Sequence, residues 1–130
     1  MVKSAVAAIV NYNGKVLLGK KRKDSSNVLA GEWHLPGEKV ENGESDESAL
    51  LRCLNEEASI DIRVGKYLGS HFSPTNKRKV NWYECFSETD SIFCGSDLED
   101  VKWVLKKEVL NNCGEEARKL LPNEIIEYFN

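Results

Sequence analysis

The sequence predicts an α+β fold, a mixed β-sheet with helices on its faces. Three observations lead there. Apolar, β-branched runs flank an Asn13-Gly14 pair near the start, one amphipathic stretch with acidic residues in its first turn follows a polar loop, and two further runs rich in Val, Ile, Tyr and Trp precede a helix-forming C-terminal part. With 130 residues the chain has the length of one domain, 1-130, and enough surface to bury for a core without covalent staples.

Taken in order, Val2 to Tyr12 and Lys15 to Lys23 read as paired strands, because Asn-Gly tolerates the positive φ angles of a two-residue hairpin turn. Asp24 to Gly31 is a polar, Ser-rich loop, and Trp33-His34-Leu35 is a short strand stopped by Pro36-Gly37. Ser45 to Ser59 forms a helix with Ser45 as N-cap and Asp46 and Glu47 where the helix dipole favours negative charge. Ile60 to Phe72 and Lys79 to Phe86 are two more strands, with Pro74, Asn76 and Lys77-Arg78-Lys79 marking the turn between them. Val101 to Leu105 adds a short strand, and Lys106 to Phe129 is helical with interruptions at Gly114 and Pro122. No internal repeat or low-complexity tract is present.

Hydrophobic residues make up 41% and charged residues 30%, which disfavours disorder. A net charge of −3 argues against nucleic acid or an anionic membrane as partner, though not against an anion reached through a divalent metal. No apolar stretch is long enough to cross a bilayer, and the N-terminus lacks a signal-peptide pattern. Cys53, Cys85, Cys94 and Cys113 are widely spaced, and neither His34 nor His71 stands at zinc-ligand spacing from any of them. Reduced, structural thiols in a cytoplasmic protein, monomer or homodimer, are expected.

The helix from Asp46 to Ala58 carries the chemistry-bearing residues. At about 100° per residue, Leu50, Leu51, Leu54 and Ala58 are assigned to the apolar, core-facing arc. Ala49, Arg52, Cys53, Glu56 and Glu57 are assigned to the opposite side, so that Glu56 and Glu57 project together near Arg52, with Glu41 and Glu44 in the loop upstream. A solvated charged face with an i,i+4 ion pair accounts for this pattern. So does a site for a hard cation such as Mg²⁺, which takes carboxylates, phosphates and water.

The stretch PGEKVENGESDESALLRCLNEEASI resembles the Nudix box of the MutT/Nudix hydrolases, G-x5-E-x7-R-E-U-x-E-E-x-G-U with U aliphatic. Glu44, Arg52, Leu54, Glu56, Glu57 and Ile60 fall on motif positions without a gap, and Trp33-His34-Leu35-Pro36-Gly37 and Glu41-Asn42-Gly43-Glu44 are also similar to the family. Three positions depart from it: Glu38 and Ser59 replace glycines, and Cys53 replaces the glutamate after the arginine. The resemblance implies an α/β/α sandwich with helices on both faces of a mixed central sheet. It also implies hydrolysis of a nucleoside diphosphate linked to another group, with Mg²⁺ or Mn²⁺, and a nucleoside triphosphate as the expected substrate. Carried over by position, Glu56, Glu57 and the Gly37 carbonyl hold metal, Arg52 orients Glu44, and Glu44, Arg52, Glu56 and Glu57 form the catalytic set.

A thiol at position 53 is a poor Mg²⁺ ligand, so a loop carboxylate, Asp97, Glu99 or Asp100, is the candidate for base or extra ligand. Cys53 itself reads as a small, half-buried residue under the helix. The same departures keep open a domain that binds nucleotide or a partner without turnover. Among Lys20-Lys21-Arg22-Lys23, alternation selects Arg22 to meet phosphate, and a solubilising strand edge explains the cluster equally. The resemblance puts Asn123 near the base, whereas its position after Pro122 fits an N-cap better. Trp33, Phe72 and Tyr83 read as core residues more than as base-stacking platforms, and His34 and His71 as hydrogen-bonded structural histidines.

Overall fold

The structure, a computed structural model, describes residues 3–73, 75, 77–95 and 97–130. Val2, expected at the start of the first strand, and Pro74 and Asn76, expected in a turn, lie outside the described residues.

Strands β1 (Ser4–Tyr12) and β2 (Lys15–Lys21) form the expected hairpin, in register at Asn11↔Val16 and Tyr12↔Lys15. Asn13 and Gly14 turn it with φ of 49° and 78°, the angles that this turn demands and that most residues resist. After those two pairs the strands part. The vacated edge of β1 is taken by β4 (Gly37–Lys39) through Ala5↔Lys39 and Ala7↔Gly37, while β3 (Trp33–His34) pairs with β2. Pro36 and Gly37 therefore do not end the extended run: the Pro36 carbonyl accepts from the Ala8 N–H at 2.9 Å, and proline needs no N–H on that edge. The other edge of β1 runs parallel to β6 (Arg78–Ser87), which pairs antiparallel with β5 (Ile62–Ser73). Strand β7 (Leu98–Leu105) begins earlier than its sequence pattern shows and lies antiparallel to β2 along the whole of that strand. Among the described residues, these seven strands make one mixed sheet.

Alternation along β1 and β2 divides the core between the two faces. Val6, Ala8, Val10 and Leu17 pack against helix α1 (Asp46–Ala58), and Ala7, Ile9, Val16 and Leu18 pack against the C-terminal helices. Those helices are short: a 3₁₀ turn (Lys106–Glu108), then α2 (Val109–Asn112), α3 (Glu115–Lys119) and α4 (Asn123–Tyr128). The arrangement is the α/β/α sandwich with helices on both faces of a mixed sheet. No helix of the described residues is long and apolar enough to cross a membrane.

Helix α1 has the expected ends, with the Ser45 hydroxyl accepting from the Ser48 N–H at 3.1 Å. Its buried face differs from the expected one. Ala49, Leu50, Cys53, Leu54, Glu57 and Ala58 are buried, and Leu51 is exposed. The buried set follows the i, i+3, i+4, i+7 rhythm of a core-facing stripe, and Leu51 lies a full residue step outside it. Small side chains at positions 49, 53 and 58 leave room at the sheet and bring Cys53 and Glu57 to the inner side. Phe72, expected in the core, is exposed at the end of β5.

Ser59 ends α1 at φ 58°, with its N–H donating to the Asn55 and Leu54 carbonyls. That left-handed position favours glycine and costs other residues about 1 kcal/mol. Ser59→Gly is accordingly expected to raise stability by about 1 kcal/mol in urea denaturation; an unchanged midpoint would mean that Ser59 adopts the angle without strain.

Candidate functional site

The loop between β4 and α1 is built to hold one carboxylate. Gly43, at φ 78°, lets the chain reverse, and Glu41 and Glu44 bond reciprocally: the Glu41 N–H donates to Glu44 Oε1, and the Glu44 N–H donates to the Glu41 carbonyl, both at 3.0 Å. Arg52, two turns into α1, clasps Glu44 with both arms of its guanidinium, Nε to Oε2 at 2.9 Å and Nη2 to Oε1 at 3.0 Å. Nη2 also donates to the Lys39 carbonyl at 2.9 Å, which ties the helix to β4. The guanidinium and the Glu41 N–H hold the Glu44 carboxyl down at about 2, so it is charged at any physiological pH.

Glu56 and Glu57 do not project together. Glu56 is exposed, with Arg52 Nη1 3.7 Å away. Glu57 is 8% exposed, facing inward. One turn earlier, Cys53 is fully buried rather than half-buried, and its thiol donates to Glu57 Oε2 at 2.8 Å. Burial pushes the Glu57 carboxyl up to about 7; the Cys53 hydrogen bond and Lys21 act against this, and the charges of Glu38 and Asp97 reinforce it. Burial, with Glu57 beside it, raises the Cys53 thiol far above its ordinary range, so it stays protonated.

Of the three loop carboxylates, Asp97 is the one whose charge reaches Glu57. Glu99 pairs with Lys20 at 3.1 Å, and Asp100 accepts from the Val101 N–H at 2.8 Å. Asp97 follows a segment that docks on the end of α1: the Phe93 N–H donates to the Ala58 carbonyl and the Gly95 N–H to the Glu57 carbonyl. A side chain at Gly95 would place its Cβ 1.9 Å from the Glu56 carbonyl oxygen, so only glycine permits this approach. Sequence reasoning missed Gly95 and Lys21. A glycine in a polar loop carries no periodic signal, and Lys21 stands in a cluster where alternation favoured its neighbour.

Arg22 lies past the end of β2, with both arms on the Asp24 carboxylate at 3.0 Å. Lys21 is the basic residue whose charge acts on Glu57. Asn123 is exposed and is the first residue of α4 rather than its cap, a place taken by Pro122 without a side-chain bond. Trp33 lies under Lys102, and Tyr83 donates to Asp46 Oδ2 at 2.6 Å.

A divalent cation fits this chemistry. Glu57, Glu38, Asp97 and the Gly37 carbonyl offer hard oxygen donors, and a desolvated carboxyl with two like-charged neighbours lacks positive charge. Among the described residues, no three His, Cys, Asp or Glu side chains are already gathered as a metal cage. The carboxylates approach one another in charge without converging on a point.

Comparison with known proteins bears on the same residues. A family model described as a NUDIX domain matches residues 1–123. The CTP pyrophosphohydrolase of Escherichia coli K12 is 46% identical over 76 residues, 58% of this chain and 55% of that protein. The chain spans about half the length of the first curated relatives it matches, between 40% and 55%. The solution structure of the E. coli ORF135 protein superposes with a TM-score of 0.71 at 29% identity, covering 97% of this chain and 89% of that one. A NUDIX hydrolase from Nitrosomonas europaea superposes at 0.81 over 98% of this chain and 70% of that one, and at 20% identity it shows the shared fold alone.

Proposed function

Because the chain belongs to the Nudix family, we propose that it hydrolyses a pyrophosphate bond of a nucleoside diphosphate linked to another group. The substrate we assign is a nucleoside triphosphate, giving the monophosphate and pyrophosphate, in the cytoplasm. One observation carries the reading: on the motif helix, Glu57 is a buried carboxyl pushed up to about 7, with further carboxylates near it, the electrostatic signature of a functional group rather than of a solvated helix face. The name of the E. coli relative, a CTP pyrophosphohydrolase, supports the triphosphate.

Mg²⁺ or Mn²⁺ would be held by Glu56, Glu57 and the Gly37 carbonyl, and when bound would supply charge neutralisation of the diphosphate and an acidified water. The remaining roles belong to the chain. Arg52 fixes Glu44 as a permanent carboxylate and, through the Lys39 carbonyl, holds α1 against the strand that carries Gly37. Asp97 is the carboxylate placed to draw a proton from the attacking water, since the Cys53 thiol is too basic as a thiolate to ionise first. Lys21 offsets phosphate charge beside Glu57; Arg22 reaches a phosphate by exchanging Asp24 for it. Asn123 is left to the outer part of the site, as an exposed contact for the nucleotide.

Cys53 favours a second reading, a domain that binds nucleotide or a partner without turnover, because a buried thiol replaces a carboxylate. A panel of nucleoside triphosphates, dinucleotides and sugar nucleotides assayed with Mg²⁺ and Mn²⁺ separates the two. Turnover that falls at least about 10²-fold in Glu57→Gln and in Glu56→Gln is expected. Binding without product under either metal would establish the second reading.

A further inference from the structure

The face of the sheet opposite α1 contains a cavity of about 290 Å³, between the strands and the C-terminal helices. Leu35, His71, Trp82, Cys113 and Leu121 are among its walls, and none of its lining residues is Asp, Glu, Lys or Arg. The volume is close to the lower limit, about 300 Å³, for pockets that take organic ligands. A phosphate would meet no cation here; a flat, neutral ring would meet apolar surface.

Two of the wall residues carry polar atoms that nothing among the described residues satisfies, His34 Nε2 and Trp82 Nε1. These residues are 7% and 6% exposed, and buried polar atoms are ordinarily paired. Their hydrogen-bonding senses are opposite. His34 Nδ1 lies 2.9 Å from the Leu35 carbonyl oxygen and must carry the proton, which leaves Nε2 in the neutral ring as an acceptor. The Trp82 indole N–H can only donate, and His71 stacks against its ring with centroids 6.3 Å apart. Lys21 connects this cavity to the carboxylates, since its charge acts on both His34 and Glu57.

We propose that this cavity seats the heterocyclic base of the substrate, with Trp82 Nε1 donating to a ring nitrogen or carbonyl oxygen and His34 Nε2 accepting from an adjacent base N–H. The proposal rests on the nucleotide reading above and makes His34 and Trp82 its specificity-determining residues. A neighbouring acceptor and N–H donor occur on one edge of every common nucleobase and are absent from a bare sugar diphosphate. Asn123, exposed at the start of α4, is not among the cavity walls.

The test follows the indole N–H signals of the full chain in ¹H–¹⁵N spectra, with EDTA present and the cytidine, uridine, adenosine and guanosine monophosphates as probes. The three tryptophans give three such signals, and Trp82→Phe assigns one of them. At least one monophosphate is expected to move the Trp82 signal downfield while that of Trp103, already bonded to the Asp90 carbonyl, stays in place. Trp82→Phe and His34→Phe are each expected to weaken that binding about 10-fold. Ribose 5-phosphate is expected to leave the Trp82 signal unmoved. The idea is overturned if no monophosphate moves the Trp82 signal, as when ordered water alone fills the cavity, or if a monophosphate binds without moving it. The wild-type spectrum decides this even if a variant fails to fold. Monophosphate binding with no hydrolysis under any metal would sink the enzymatic reading and leave the base site standing; hydrolysis with an unmoved Trp82 would do the reverse.

Discussion

In buffer containing EDTA, the protein is expected to lose about 3 kcal/mol of stability as the pH rises from about 4.5 to about 8, and Glu57→Gln to lose far less. The cause is the buried Glu57 carboxyl, raised from 4.5 to about 7. A raised carboxyl binds its proton more tightly in the folded state. Its stabilising contribution is therefore complete below 4.5 and disappears as the pH climbs through about 7. Glu44 does not interfere, because its carboxyl is held at about 2 and is already ionised throughout this window. His34 acts in the opposite sense: burial lowers it below 6.5, so the folded state gains from a rise in pH through that value. The difference between wild type and Glu57→Gln removes the His34 contribution, which both proteins share. Chemical denaturation at each pH measures it. Parallel profiles would place the titrating group elsewhere. Adding Mg²⁺ at about pH 8 should restore stability to the wild type and leave Glu57→Gln unchanged.

Cys53→Glu is expected to raise turnover by about 10²- to 10⁴-fold, the usual contribution of a positioned general base. The thiol is 2.8 Å from Glu57 Oε2, so a longer acidic side chain at this position extends into the same space as Glu57. In EDTA the variant should melt lower than wild type, because a second carboxyl in a fully buried position meets the first without a cation between them. Cys53→Gln, of similar size and without charge, separates crowding from repulsion. A folded Cys53→Glu protein with wild-type turnover would mean that the site has been rebuilt around the thiol, as would a variant that cannot fold even with Mg²⁺.

These two side chains also show what the sequence could and could not convey. Elements governed by local rules were legible: the Asn13-Gly14 hairpin, the Ser45 cap and the limits of α1 depend on the intrinsic preferences of a few adjacent residues. The spacing of Glu44 and Arg52 across two helical turns also marked them as neighbours, and they form a bidentate pair. What depended on the sheet was not legible. Which side of α1 faces inward follows from where β1 and β6 lie, so Leu51 was assigned to the core and Glu57 to the surface. β4 was hidden because three residues after a proline carry no alternation, and its partner lies thirty residues upstream on β1. The docking of Gly95 on the end of α1 and the unpaired atoms of His34 and Trp82 arise only when distant segments pack together.

Everything turns on whether the buried acid of α1 serves the cleavage of a diphosphate. The most direct measurement is ³¹P NMR of the products formed from a nucleoside triphosphate in ¹⁸O-labelled water, with Mg²⁺ and with EDTA. The expected spectrum contains a nucleoside monophosphate and pyrophosphate in equal amounts, with ¹⁸O in one of the two, only when Mg²⁺ is present and Glu57 is intact. Orthophosphate with a nucleoside diphosphate, or the same product yield from Glu57→Gln, would contradict it.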